Sequence, residues 1–154
     1  MNIIETYMSN SLEDTQNIAQ EILSYIKKES NEYSVILLSG DLGVGKTAFV
    51  QSIARLLGIK EHVTSPTFVI MGEYSTADSA FPKLLHADLY RIEESRELEV
   101  LHLNEMICEK GTLSCIEWPE QGFGFFSKTK NVFHVDIGLS GDVRTLTFSK
   151  REEE

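Results

Sequence analysis

Three features of this 154-residue chain predict an α/β fold. The first is Gly-Asp-Leu-Gly-Val-Gly-Lys-Thr at residues 40–47, with an apolar run, Val35-Ile36-Leu37-Leu38, before it. After it Ala48, Phe49, Ile53, Ala54 and Leu57 recur at helical spacing until Gly58. The second is a pair of apolar strand stretches, 84–91 and 113–120, each carrying a strand-end carboxylate, Asp88 and Glu117, and separated by a helical segment. The third is a period-two alternation around Ser140-Gly141-Asp142, a terminal hairpin. Together they predict a P-loop NTPase-like three-layer sandwich: a mixed, mostly parallel sheet flanked by helices, with a C-terminal β-hairpin.

The octapeptide fits G-x-x-x-x-G-K-[ST], and each position has a physical reason. Gly40, Gly43 and Gly45 allow positive φ and close approach, so successive N–H groups from Asp41 through Ala48, those of Val44 and Gly45 included, can form an anion nest at a helix start. Lys46 supplies a point charge for the β and γ phosphate oxygens, and the Thr47 hydroxyl is placed for Mg2+. Four constrained positions would match by chance in only ~1 of 200 chains of this length. The strand before and helix after lower that further, so the chain is expected to bind a nucleoside triphosphate.

In order along the chain, Ser11-Leu12-Glu13-Asp14 resembles a capping box, and Ile18, Ala19, Ile22, Leu23 and Ile26 form one apolar stripe of a helix ending near Ser30-Asn31. The lead-in to this helix is a weaker candidate for contact with the nucleotide base. Thr64, Ser65 and Thr67 surround Pro66 in a loop after the P-loop helix, where many P-loop switches sense the γ-phosphate; a capped turn is an even alternative. Phe68–Met71 reads as a strand, and 73–82 as a polar hairpin turn.

Asp88 and Glu117 end the two apolar strands, and a P-loop enzyme needs such acids for Mg2+ and for the attacking water. These two of the twenty-four acidic residues are therefore the candidate catalytic acids, with Lys46 beside them. His86 shares a strand face with Asp88 and reads as a packed or hydrogen-bonded ring; Trp118 reads as a core or interface plug. From Glu93 a helix opens with Leu98, Leu101 and Met106 facing inward, and Gly122–Phe126 reads as aromatic loop packing, with an exposed patch for a partner as the alternative. Arg144, in the hairpin, is a low-ranked nucleotide contact against the default of a surface strand arginine.

Length and a 42% apolar content fit one globular domain, 1–154, with residues 150–154 a frayed tail. A net charge of -10, with fourteen basic residues scattered among the acids, argues against direct nucleic-acid binding, so any RNA would be held by another chain. The N-terminus has no basic-then-apolar segment and no apolar run approaches membrane length, so a cytoplasmic, non-membrane protein is expected. Cys108 and Cys115 lack metal-ligand companions and read as reduced thiols.

Four blocks in this order, 40–47, Ser65-Pro66-Thr67-Phe68, His86-Ala87-Asp88-Leu89-Tyr90-Arg91 and Ile116-Glu117-Trp118-Pro119-Glu120, resemble the bacterial TsaE (YjeE) family over nearly the whole chain. The resemblance implies an ATPase subunit of the machinery that installs threonylcarbamoyl on the adenosine following the anticodon in tRNAs reading codons that begin with A, with ATP and Mg2+ as cofactors and TsaD and TsaB as partners. It implies Thr47 and Glu117 as Mg2+ ligands, Asp88 as the catalytic or water-positioning acid, a switch-like loop from Thr64 to Thr67, and Trp118 beside the nucleotide. Ala48 departs from the family's usual second threonine, which removes a hydroxyl from the α-phosphate and predicts weaker nucleotide affinity.

With Arg91 the nearest candidate for a γ-phosphate finger, isolated hydrolysis is expected to be slow and partner-regulated, resetting the complex. A small-molecule kinase with Asp88 as base ranks below, because the five arginines do not cluster as a lid. A nucleotide-gated binding module without catalysis is the rival from another class. A GTPase is disfavoured by the lack of an Asn-Lys-x-Asp segment.

Overall fold

The computed structural model describes residues 2–29, 32–64, 71–122 and 124–152. A seven-stranded sheet carries the fold, formed by β1 (Asn2–Ser9), β2 (Ser34–Ser39), β3 (Met71–Ser75), β4 (Lys83–Asp88), β5 (Thr112–Glu117), β6 (Val132–Ser140) and β7 (Val143–Lys150). Their order is β1-β7-β6-β2-β5-β4-β3. The four central strands, β6, β2, β5 and β4, are parallel, and β1, β7 and β3 add antiparallel edges.

Alternation along the central strands sends side chains to two faces. Ile36, Leu38, Leu84, Leu113, Phe133 and Val135 pack under α1 (Leu12–Glu29) and α2 (Lys46–Leu56), which bury the predicted Ile18, Ala19, Ile22, Leu23, Ile26, Phe49 and Ile53. Val35, Leu37, Leu85, Ala87 and Ile116 face the other way, onto α3 (Arg96–Val100), α4 (Leu103–Ile107) and Phe126. The three-layer sandwich is the predicted one. Because these strands are covered on both faces, they read as apolar runs rather than as alternating segments.

The predicted caps hold. Ser11 Oγ accepts the Asp14 N–H at 3.1 Å, and Asp14 Oδ2 accepts the Asn10 N–H at 2.9 Å. Gly58, at φ 79°, ends α2 with the Ile59 N–H on Ala54 O and its own N–H on Arg55 O.

Several elements differ from the sequence reading. Asn2–Ser9, the lead-in to α1, form edge strand β1; Ile3 and Met8 stay exposed while Ile4 and Tyr7 rest on the core, a pattern too weak to read as alternation. Of the expected strand Phe68–Met71, residues 68–70 lie outside the described residues. Glu73 and Tyr74, expected in the turn, belong to β3, whose register with β4 runs from Met71↔Ala87 to Ser75↔Lys83. The polar turn is 76–82.

The single helix expected after Glu93 is two five-residue helices split at His102, which has φ 57°. Leu98, Leu103 and Ile107 are the inward residues, whereas Leu101 and Met106 are half-buried. In an unbroken helix Leu103 would point about 140° away from Leu98, so the break lets both face the sheet. The tail is not frayed at Lys150 and Arg151: Lys150 ends β7 and pairs with Glu29 at 2.9 Å, and Arg151 donates to Phe126 O at 2.5 Å. That bond, the burial of Phe126 and the partial burial of Phe125 bear out packing at 124–126; residue 123 of the aromatic stretch lies outside the described residues. No helix among the described residues is long and apolar enough to cross a membrane.

Candidate functional site

Strands β2, β5 and β4 run parallel, so their carboxyl ends meet at one edge of the sheet. The P-loop leaves β2 there, and β4 and β5 deliver Asp88 and Glu117 as register partners. A cleft of about 260 Å3 results, lined by Gly43, Gly45, Lys46, Thr47, Ala48, Asp88, Glu117 and Trp118, with Leu42 at its rim. Most of the predicted site residues are thereby brought together.

Lys46 is 5% exposed and bridges the loop from inside, donating to Gly40 O and to Asp41 O at 3.3 Å. Its ammonium lies 3.7 Å from the centroid of the Trp118 ring, a cation–π contact. Burial pushes the ammonium below the ordinary lysine range, and Glu117, Glu120, Asp88 and Asp41 pull it part of the way back. Among the described residues the ammonium is held by carbonyls and a π-face, with no carboxylate in hydrogen-bond contact.

Glu117 is 3% exposed, a carboxylate on a buried strand end. Its Oε2 lies 2.5 Å from His86 Nε2, and its Oε1 3.5 Å from Thr47 Oγ1. Asp88 is half-buried, and its Oδ1 accepts the Tyr90 N–H at 3.0 Å. Trp118 follows Glu117 at φ 56°, a left-handed turn that swings the ring out of the strand and over Lys46, with Tyr90 at 4.9 Å behind it. Trp118 packs half-buried against the core layer of β4 and β5, as the plug reading has it, and its ring also forms a side wall of the cleft.

Other predicted residues sit at the margin. Val44 is buried, and its carbonyl accepts Arg144 Nε at 2.6 Å; Asp41 is exposed, with its carbonyl turned to Lys46. Arg144 therefore braces the P-loop from β7. Thr64 is exposed, and Ser65 and Thr67 lie outside the described residues. Arg91 is exposed beyond β4.

Sequence reasoning gave His86 a hydrogen bond without its partner. No local signal could have found it: only the β4–β5 register, which pairs Asp88 with Glu117, sets His86 two positions from Glu117's partner on the same face.

A family model described as threonylcarbamoyl adenosine biosynthesis protein TsaE matches residues 9–146. The chain belongs to the TsaE family. It is similar to the tRNA threonylcarbamoyladenosine biosynthesis protein TsaE of Aquifex aeolicus, 37% identical over 123 residues, 79% of this chain and 81% of that one. The TsaE of Rickettsia bellii is 37% identical over 112 residues, 72% of each chain. Among solved structures, Bacillus subtilis YdiB superposes with a TM-score of 0.67 at 26% identity, covering 94% of this chain and 84% of that one. TsaE-family membership places the chain in tRNA threonylcarbamoyladenosine biosynthesis.

Proposed function

We propose that this TsaE-family chain binds ATP with Mg2+ in the cleft between Lys46 and Glu117, hydrolyses it slowly, and thereby supports TsaB- and TsaD-like partners in forming N6-threonylcarbamoyladenosine on tRNA in the cytoplasm. The observation that carries this reading is the convergence of Lys46, Thr47, Asp88 and Glu117 on one cleft at the carboxyl edge of the sheet. Hydroxyl and carboxylate oxygens are hard donors suited to Mg2+. Among the described residues no group of three His, Cys, Asp or Glu could hold a metal, which fits an ion that takes its remaining ligands from phosphates and water.

Thr47 and Glu117 would hold the ion, which when bound neutralises charge developing on the β and γ phosphates. Lys46 exchanges the Gly40 and Asp41 carbonyls for phosphate oxygens, and the N–H groups of the P-loop cradle the same anion. Asp88, beside Glu117 across the strand pair, orients a water toward the γ-phosphorus. The water oxygen bonds to phosphorus as the bond to the β–γ bridging oxygen breaks, and the water's proton passes to the carboxylate or to phosphate. Trp118 shields the Lys46 side of the cleft. No arginine side chain among the described residues lines the cleft, so the charge leaving with ADP lacks a finger and turnover is slow until a partner docks. Hydrolysis then resets the assembly, and tRNA is met through the partners.

ATP hydrolysis by the purified chain, measured with and without TsaB- and TsaD-like partners and tRNA, tests this reading, with Lys46→Ala and Glu117→Ala as controls. Slow basal turnover, raised by partners and abolished by both substitutions, is expected. Turnover near ten per second that partners do not change would overturn it, being about the median of free-standing enzymes.

A further inference from the structure

His86 is fully buried in the middle of β4, on the face covered by α1 and α2, where its strand neighbour Leu84 is core. A buried ring nitrogen is costly unless it is hydrogen-bonded. Nε2 meets that need with Glu117 Oε2 at 2.5 Å, shorter than the usual 2.7–2.9 Å of charge-assisted N–H···O bonds. Nδ1 is buried with no hydrogen-bond partner among the described residues. A hydrogen on Nδ1 would be a stranded donor, so the contacts assign the hydrogen to Nε2 and leave Nδ1 bare. The ring's one donor is thus committed to Glu117.

The effect on Glu117 is to divide its two oxygens. Oε2 is taken by His86 behind the site, and Oε1 is turned toward Thr47 Oγ1 and the cleft. The division follows from the ladder: Asp88 pairs with Glu117 and His86 with Cys115, so His86 lies diagonally behind Glu117 on the same face. A glutamate has three side-chain torsions, and Lys46 attracts this one. Without a donor holding Oε2, the carboxylate would be free to swing toward the ammonium and be lost to the metal.

We infer that His86 is a positioning residue that fixes Glu117 so that a single oxygen, Oε1, is presented to Mg2+. This rests on the reading of Thr47 and Glu117 as the metal ligands. It predicts that His86 governs metal affinity while leaving the phosphate cradle untouched, since no P-loop atom bonds to its ring.

The test is binding of a non-hydrolysable ATP analogue to the full chain, followed by the fluorescence of Trp118, the chain's one tryptophan, in EDTA and in Mg2+. The ratio of the two affinities is the metal tightening. His86→Leu keeps much of the volume without the donor, and His86→Gln places an amide N–H near the Nε2 position. In His86→Leu the tightening is expected to fall about tenfold to a hundredfold, the usual effect of removing a ligand's orienting partner, with affinity in EDTA changed by less than about twofold. His86→Gln recovers most of the loss, and His86→Leu adds nothing once Glu117→Gln is present. Where His86→Leu does not fold, His86→Gln against His86→Asn, whose shorter amide reaches only the Nδ1 position, makes the same comparison. Full tightening in His86→Leu, equal losses in the Leu and Gln variants, or a parallel loss in EDTA would overturn the inference alone. Failure of Mg2+ to tighten binding in the unsubstituted chain, or full tightening in Glu117→Gln, would overturn the metal assignment and the inference with it.

Discussion

Gly40→Ala is the substitution whose cost follows most directly from the geometry. Gly40 leaves β2 at φ 149°, and a Cβ there would lie 2.5 Å from Ile137 O and 2.8 Å from Val44 Cγ2. Ile137 O belongs to β6, held between β2 and β7, so the loop must retreat, by at least about 0.5 Å, to reach a separation that real side chains show. Overpacking of this kind costs ~1–3 kcal/mol and the unfavourable φ another ~1–2 kcal/mol, so a loss of roughly 2–5 kcal/mol is expected. At ~2–4 °C per kcal/mol for a chain of this size, Tm falls by roughly 5–20 °C. Gly43→Ala is the control: φ is 79° but nothing lies within 4 Å of the added Cβ, so only the backbone term applies. Thermal unfolding followed by circular dichroism, without nucleotide, should show a drop for Gly40→Ala roughly 1.5 to 4 times that for Gly43→Ala. Equal drops would refute the claim that β6 forms a rigid wall behind the loop.

Arg144→Leu removes a half-buried charged bond to Val44 O and should lower stability without nucleotide by roughly 1 kcal/mol in urea unfolding; unchanged stability would mean that Arg144 acts only on the nucleotide. Burial pushes the Asp78 carboxyl up, but bonds from Lys27 and from the Phe81 and Ala80 N–H groups outweigh it and hold it below its ordinary value. A depressed carboxylate contributes stability that is present above its unfolded pKa and lost as pH falls through the folded one. Asp78→Ala should therefore cost roughly 1–2 kcal/mol at pH 7 and progressively less below about pH 4, which urea unfolding at pH 7 and pH 3 measures. Burial, with Glu117 adding to it, raises the Cys115 thiol well above its ordinary value, whereas Cys108 is only half-buried. A thiol reagent such as DTNB should titrate one cysteine in the native chain and both in guanidinium.

The parts of this fold legible in the sequence are those written in local patterns. The α1 stripe, the glycines of residues 40–47, the buried runs of β2, β4 and β5 and the terminal hairpin each carry their signal within a dozen residues. The misread parts depend on partners far away. Edge strand β1 shows no clean alternation because its apolar contacts with the core are Ile4 and Tyr7, three positions apart, and it is defined by its bonds to β7. The break at His102 is set by the need of Leu98 and Leu103 to reach one surface. In the site, the residue types were legible but their partners were not: Asp88 and Glu117 announce themselves as acids at strand ends, whereas the His86–Glu117 bond requires the β4–β5 register and the Arg144–Val44 bond spans 100 positions.

Strand order supplies the step that composition and motif could not. β2 sits between β5 and β6: the chain reaches it from β1 on the β6–β7 side and leaves it for β3 on the β5–β4 side, so the P-loop emerges with a different neighbour on each flank. On the β5 side stand Glu117 and, behind it, His86. On the β6–β7 side stand Ile137 O, which Gly40 nearly touches, and Arg144, which holds Val44 O. On the proposed reading of Thr47 and Glu117 as metal ligands, one flank controls the metal and the other the shape of the anion nest. Substitutions on the two flanks should separate in one experiment: Gly40→Ala and Arg144→Leu weaken nucleotide binding by the same factor in EDTA and in Mg2+, whereas His86→Leu and Glu117→Gln weaken it only in Mg2+. Metal-dependent loss from Arg144→Leu would show that the two flanks are coupled through the loop, and the division of labour drawn from the strand order would fail.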